Sequence, residues 1–182
     1  LNLSEEETCS SLETIALTNH RYLRDLRINL KNVLSAPELT PKESYLLALA
    51  VAVNEKNEKL KYSFTTLAKL NGATDEEISE THACASMLAT NNVFYRFRHF
   101  TKNNNDKYQT IPAGIKMNIM MNPILGKEFF ELMSLVVSAV NGCEQCVNSH
   151  EQSVRNLGSS ETRIFNAIRL ASVVRGLSSV IN

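Results

Sequence analysis

The sequence is short of most things that declare a function by themselves. It has no excess charge, 19 Lys+Arg being matched by 19 Asp+Glu, which argues against a nucleic-acid or anionic-membrane binder, since both draw on a basic surplus. Glycine and proline are scarce, six and four residues, too few for a turn-rich all-β fold or for a disordered or collagen-like chain. The longest apolar run, 46–53, has eight residues against the roughly 20 that a bilayer-spanning helix needs. The opening residues Leu1-Asn2-Leu3-Ser4-Glu5-Glu6-Glu7 are acidic and hold no apolar segment, unlike a secretory signal. The sequence starts on Leu, so this says nothing of what precedes it. Cysteine is scarce too. Four thiols, Cys9, Cys84, Cys143 and Cys146, cannot staple a chain of 182 residues, and so point to a reducing, cytoplasmic compartment where thiols serve other ends.

What is present favours helices. Apolar residues make up 43% and charged residues 21%, the balance of a globular domain, and the length suits one such domain, 1–182. Thr40-Pro41-Lys42-Glu43 sets an N-cap hydroxyl, a first-turn proline and a capping-box glutamate before the apolar run. A second helix is expected over 57–71, stopped by Gly72, and Thr74-Asp75-Glu76-Glu77 opens a third. Further helices are expected over 127–141, over 143–157 up to Gly158, and over 160–175 up to Gly176. The stretch before residue 35 reads as one or two amphipathic helices, and 101–112, with Asn103-Asn104-Asn105-Asp106, as an exposed loop. No segment sustains period-2 alternation, so the fold class is all-α.

The chain also resembles itself. An offset of 87 lays Leu46, Asn54, Leu67 and Leu70 over Met133, Asn141, Val154 and Leu157; after Asn71 an offset of 86 pairs Gly72 with Gly158 and Ile78 with Ile164. Two related helical repeats follow, about 36–100 and about 123–181. In this register Lys56, Lys59 and Ser63 stand opposite Cys143, Cys146 and His150, so only the C-terminal repeat carries reactive side chains.

The chemistry concentrates in Asn141-Gly142-Cys143-Glu144-Gln145-Cys146-Val147-Asn148-Ser149-His150. On a helix, positions i and i+3 share a face, within the roughly 4.4–6.8 Å Cα separation that a disulfide requires. The first helical turn, with free N–H groups and the positive dipole end, stabilises a thiolate. His150 follows Cys146 by one turn on the same face, placed to take or relay a proton. Glu131 interrupts an otherwise apolar helix and needs a partner there, one role being to orient and polarise the imidazole. Two other readings stand beside this one. The cysteines can be a buried apolar pair, or, with His150 and Glu131, zinc ligands, although no second Cys or His pair follows. A thioredoxin-type CxxC lacks its βαβ context here. Cys84 reads as core packing, Cys9 as an incidental thiol, and Met117, Met120, Met121 and Met133 as core or subunit-contact fillers. No chemistry is assigned to His20, His82 or His99, and Arg96 and Arg98 read as solvated or subunit-contact charges.

Glu131, the Asn141 to His150 run, Asn91-Asn92-Val93-Phe94-Tyr95-Arg96 and Met117-Asn118-Ile119 together closely resemble the alkylhydroperoxidase D (AhpD) family of the AhpD/carboxymuconolactone decarboxylase superfamily. The resemblance covers nearly the whole chain beyond the N-terminal helices. It implies an all-α bundle of two related helical halves with the active site in the C-terminal half, a homotrimer, and a peroxidase without bound metal or cofactor. It further implies that Cys146 attacks an organic hydroperoxide and becomes a sulfenic acid. Cys143 then acts as proton donor and resolving thiol and closes a Cys143–Cys146 disulfide. Glu131 and His150 are expected to assist deprotonation of Cys146. The external reductant is a dihydrolipoyl group of the dihydrolipoamide type on a partner protein, and a peroxiredoxin, the alkyl hydroperoxide reductase C subunit, is a further partner. Some relatives carry His immediately before the second cysteine, where this sequence has Gln145, whose neutral amide supplies neither a proton relay nor a positive charge. The expectation is a cytoplasmic antioxidant peroxidase. Its rival is a dithiol adaptor that passes electrons to a peroxiredoxin; a decarboxylase or lactone-converting role is disfavoured because such members generally lack the paired cysteines.

Overall fold

The computed structural model describes residues 10–181, and every regular element among them is helical. Two helices lead in, α1 (Ser10–Leu17) and α2 (Arg21–Leu34). Then come α3 (Pro41–Asn54), α4 (Glu58–Leu70) and the long α5 (Asp75–Thr101). After a one-turn α6 (Lys107–Thr110) and a 3-10 turn at Asn118–Met121, the chain forms α7 (Lys127–Val140), α8 (Glu144–Asn156) and α9 (Glu161–Ser178). The expected 101–112 loop therefore holds the last residue of α5 and a short helix. Cys9 and the acidic opening residues lie outside the described residues.

The helix starts follow from local capping. Thr40 Oγ1 accepts from Glu43 N at 3.2 Å while Glu43 Oε2 accepts from Thr40 N at 2.8 Å. Thr74 and Glu77 repeat the exchange at 3.2 and 2.9 Å, and each such cap is worth about 1 kcal/mol. Gly72 and Gly158 end α4 and α8 at φ +87° and +100°, a conformation that L side chains rarely adopt. Gly176 does not end α9, which runs on to Ser178. Leu177 is buried in the core and draws the helix past the glycine, so packing overrides the local stop signal.

α3 and α7 are apolar nearly all round, with 46–52 of α3 and 132–138 of α7 buried, and such helices belong at the centre. α5 and α9 each pack on both of them, α4 covers α3, α8 covers α7, and α2 lies on α9. The two halves therefore interlock. Arg163 of α9 ties them further: Nη2 donates to Glu43 Oε1 of α3 and Nε to Glu128 Oε1 of α7, the latter at 2.9 Å. Burial works to raise the Glu43 pKa, but hydrogen bonds from Arg163 and Thr40 outweigh it and hold the carboxyl below its ordinary value.

The recurrence between halves is regular. α3, α4 and α5 start at 41, 58 and 75, and α7, α8 and α9 at 127, 144 and 161, a constant offset of 86 residues. The turns agree, with positive φ at Lys56 and Gly142, and Asn57 N bonded to Ala52 O as Cys143 N is to Ser138 O. This corrects the sequence register. Asn57, Leu60 and Phe64, rather than Lys56, Lys59 and Ser63, stand at the positions of Cys143, Cys146 and His150, and Tyr45 at that of Glu131. The identity of Asn54 and Asn141 that suggested 87 has another origin: the two side chains bond reciprocally, at 2.9 and 3.0 Å, between α3 and the end of α7.

Candidate active site

The turn before α8 is fixed by the backbone. Asn141 N bonds to Val137 O, Gly142 N to Ala139 O and Cys143 N to Ser138 O. Gly142, at φ +66°, supplies the left-handed residue that this closure requires. The residue ahead of the turn is clamped as well. Besides its pairing with Asn54, Asn141 donates Nδ2 to Asn92 Oδ1 at 2.9 Å, and its carbonyl accepts from Arg96 Nη1 at 2.7 Å. Arg96 is thus an internal tie, not a solvated charge. Arg98 stacks over the Phe94 ring at 4.7 Å and donates to the Ile111 carbonyl.

α8 then begins at once, with Cys143 as its N-cap and Cys146 in its first turn. The two sulfurs are joined as a disulfide, the Cα atoms 5.3 Å apart. Cys143 makes no side-chain capping bond, so the first-turn N–H groups of α8 are not engaged by their own cap residue. Access differs between the pair. Cys143 is 0% exposed and Cys146 7%, and Cys146 alone of the two borders an adjoining cleft.

His150 follows one turn on, and Glu131, from α7, meets it: Nδ1 and Oε2 are 2.6 Å apart, with the side chains only 13% and 18% exposed. A carboxylate can only accept, so Nδ1 donates in this contact, which makes Nε2 the nitrogen through which the ring can exchange a proton. The structure thus brings Cys143, Cys146, His150 and Glu131 into one corner, between α7 and α8.

The cleft holds about 270 Å³ and, besides Cys146, is bordered on the α8 side by Gln145 and His150. Its far wall comes from Leu88, Asn91 and Tyr95 of α5, with Met117 just before the 3-10 turn and Met120 within it. Sequence reasoning used Asn91, Tyr95 and Met117 as marks of the family resemblance but gave none of these wall residues a place in the chemistry. Of the four methionines expected to fill core or contacts, Met133 is fully buried, Met121 is exposed, and Met117 and Met120 line the cleft. The available signal was the pair of asparagines, Asn91 and Asn92, on the buried face of an otherwise apolar stretch of helix.

The remaining thiol and histidines stand apart from this corner. Cys84 is fully buried, its Sγ 3.6 Å from Ser134 Oγ, and burial pushes the thiol up to about 12. His99 Nε2 lies 3.4 Å from Glu144 Oε2 at the start of α8, a pairing that spacing did not suggest. His20 caps α2 by accepting from Tyr22 N. Among the described residues no three His, Cys, Asp or Glu side chains converge in a metal-ligand arrangement.

A model of the carboxymuconolactone decarboxylase family matches residues 107–182. The chain is 38% identical over 172 residues to a Mycolicibacterium smegmatis protein named alkyl hydroperoxide reductase AhpD, covering 94% of each. It is 40% identical over 151 residues to a protein of that name from Anaeromyxobacter dehalogenans, covering 83% of this chain and 80% of the relative. A third, from Solibacter usitatus, is 36% identical over 171 residues, 94% of this chain and 95% of the relative.

Proposed function

The chain belongs to the AhpD family within the carboxymuconolactone decarboxylase superfamily, and from that premise we propose that it reduces organic hydroperoxides through Cys146 and Cys143. The observation that carries this reading is the cleft: it reaches one sulfur of the pair together with an imidazole whose other nitrogen is held by a half-buried carboxylate at 2.6 Å. A cavity beside the sulfur gives a small organic hydroperoxide a place to bind.

In the reduced protein, His150 Nε2 takes the Cys146 proton while Glu131 fixes the ring and stabilises the imidazolium. The first-turn amides of α8 support the thiolate. It attacks the terminal oxygen of the hydroperoxide; the O–O bond breaks, Cys146 becomes a sulfenic acid, and the alkoxide leaves as alcohol with a proton from the site. Cys143, fully buried behind Cys146, then attacks the sulfenic sulfur and expels water. That yields the disulfide seen in the structure. Two electrons from a dihydrolipoyl dithiol reopen it by exchange through a mixed disulfide. Such a cycle fits a cytoplasmic protein and needs no bound cofactor.

Family membership also supports a homotrimer. Val93, Phe97 and Phe100 form an exposed apolar stripe along α5, at i, i+4 and i+7, for a neighbouring subunit to cover. No helix among the described residues is long and apolar enough to cross a membrane. The deciding experiment is a lipoamide-coupled peroxidase assay on the wild type and on single variants at Glu131, Cys143, Cys146 and His150. Normal turnover by Cys146→Ser would sink the proposal, and peroxide consumption only in the presence of a peroxiredoxin would favour the adaptor.

A further inference from the structure

Among the described residues that line the cleft, Asn91 is the one with a buried side-chain polar atom that has no hydrogen-bond partner. It is 5% exposed, and Nδ2 donates to Met117 Sδ at 2.9 Å. A thioether sulfur can only accept, which fixes the amide: the NH₂ faces Met117, and the oxygen is turned away from it. That oxygen is buried with no hydrogen-bond partner. A buried orphan acceptor is costly and rare in a native structure, and this one belongs to a residue that lines the cavity shared by Cys146 and His150, where a partner can arrive from outside. The neighbouring Asn92 shows the contrast. Its amide is used on both sides, donating to Ser138 Oγ at 3.0 Å and accepting from Asn141 at 2.9 Å.

We propose that Asn91 binds the substrate, its Oδ1 accepting the O–H of the hydroperoxide. This rests on the peroxidase reading above. A hydroperoxide has a single donor, on the oxygen that the thiolate attacks. Holding that hydrogen at Asn91, across the cleft from Cys146, presents the terminal oxygen to the sulfur, while Leu88 and Met120 receive the alkyl group. When the O–O bond breaks, the hydrogen stays on the transferred oxygen, so the same acceptor holds the sulfenic acid until Cys143 attacks. No proton, electron or atom passes to or from Asn91. It orients a donor, and it discriminates against oxidants and electrophiles that have none.

The test compares two reactions of the same thiolate in reduced protein. Stopped-flow measurement gives the rate of Cys146 oxidation by cumene hydroperoxide, and a parallel measurement gives its alkylation by iodoacetamide, whose reacting carbon carries no O–H. In Asn91→Leu and Asn91→Ala the peroxide rate should fall about tenfold to a hundredfold, as expected for one lost hydrogen bond, while alkylation stays within about twofold. Helical circular dichroism checks that each variant is folded, and the ratio of the two rates then reads the site itself. An unchanged ratio in both Asn91 variants overturns the assignment. A proportional fall in both rates also overturns it, placing Asn91 in support of the thiol instead. A slower reaction of the disulfide with dihydrolipoamide, with peroxide oxidation intact, assigns the oxygen to the reductant's S–H and overturns it too. If wild-type Cys146 does not react with the hydroperoxide at all, the peroxidase reading itself falls; failure confined to the variants leaves that reading standing.

Discussion

α4 and α8 occupy the same place in the two halves, yet one is finished as a helix and the other is left open. At the start of α4, Asn57 Oδ1 accepts from Leu60 N at 2.9 Å, and its Nδ2 donates to the Ser178 and Ile181 carbonyls, tying in the end of the chain. At the start of α8 the corresponding residue is Cys143, which caps nothing, and the residue corresponding to Leu60 is Cys146. Phe64, fully buried, holds the place of His150, and Tyr45 that of Glu131. The backbone is common to both halves. A reactive corner arises where one of them exchanges its cap and two apolar side chains for sulfur and an imidazole, each still supported by the shared frame.

Making the halves alike should abolish the chemistry first. Cys146→Leu, copying Leu60, is expected to leave no hydroperoxide turnover in a lipoamide-coupled assay. His150→Phe, copying Phe64, should lower it about a hundredfold to a thousandfold, the range of a lost general base, with the helical circular dichroism unchanged. Next in size is the joint between halves. Arg163→Met strands Glu43 and Glu128, and should cost about 3 kcal/mol in urea unfolding because both carboxylates are partly buried. Asn57→Ala should cost about 1 kcal/mol or somewhat more, through loss of the α4 cap and its ties, without changing activity per folded molecule. The smallest effect concerns acid. For Glu43 and Glu77 burial acts to raise the pKa, but the partners Arg163 and Lys42 and the capping contacts prevail and hold both below the ordinary 4.5. The unfolded chain therefore binds these protons more readily than the folded one. Their stabilisation is complete above about pH 4.5 and is lost as the pH falls through the lowered folded values. A melting-temperature profile should show this decline in the wild type and a shallower one in Arg163→Met.

Helix starts were legible because capping is local: Thr40 with Glu43 and Thr74 with Glu77 do in space what their three-residue spacing announces. The CxxC and His150 were legible for the same reason, lying within two turns of one helix. Glu131 was readable only as a carboxylate in need of a partner, since the fold alone says which. What escaped is what packing decides. Gly176 has every mark of a stop, but Leu177 is buried beyond it. Asn54 and Asn141 looked like matching positions and are instead bonded to each other. The cleft wall of Asn91, Tyr95, Met117 and Met120 is assembled from α5 and the 3-10 turn with the residue before it, and Arg163 unites three helices through contacts that no spacing encodes.

The uncapped start of α8 has a consequence for how this fold tolerates change. A serine, asparagine or aspartate at position 143 would satisfy the first turn and make the helix more secure, by about 1 kcal/mol. Selection for robustness alone would therefore erode the site. On the proposed cycle Cys143 is a point of retained frustration, where the locally best residue and the one the chemistry needs differ. Variants of this chain chosen only for heat resistance should accumulate helix-capping residues at 143 and lose their thiol chemistry, while the start of α4, already at its local optimum, should stay as it is.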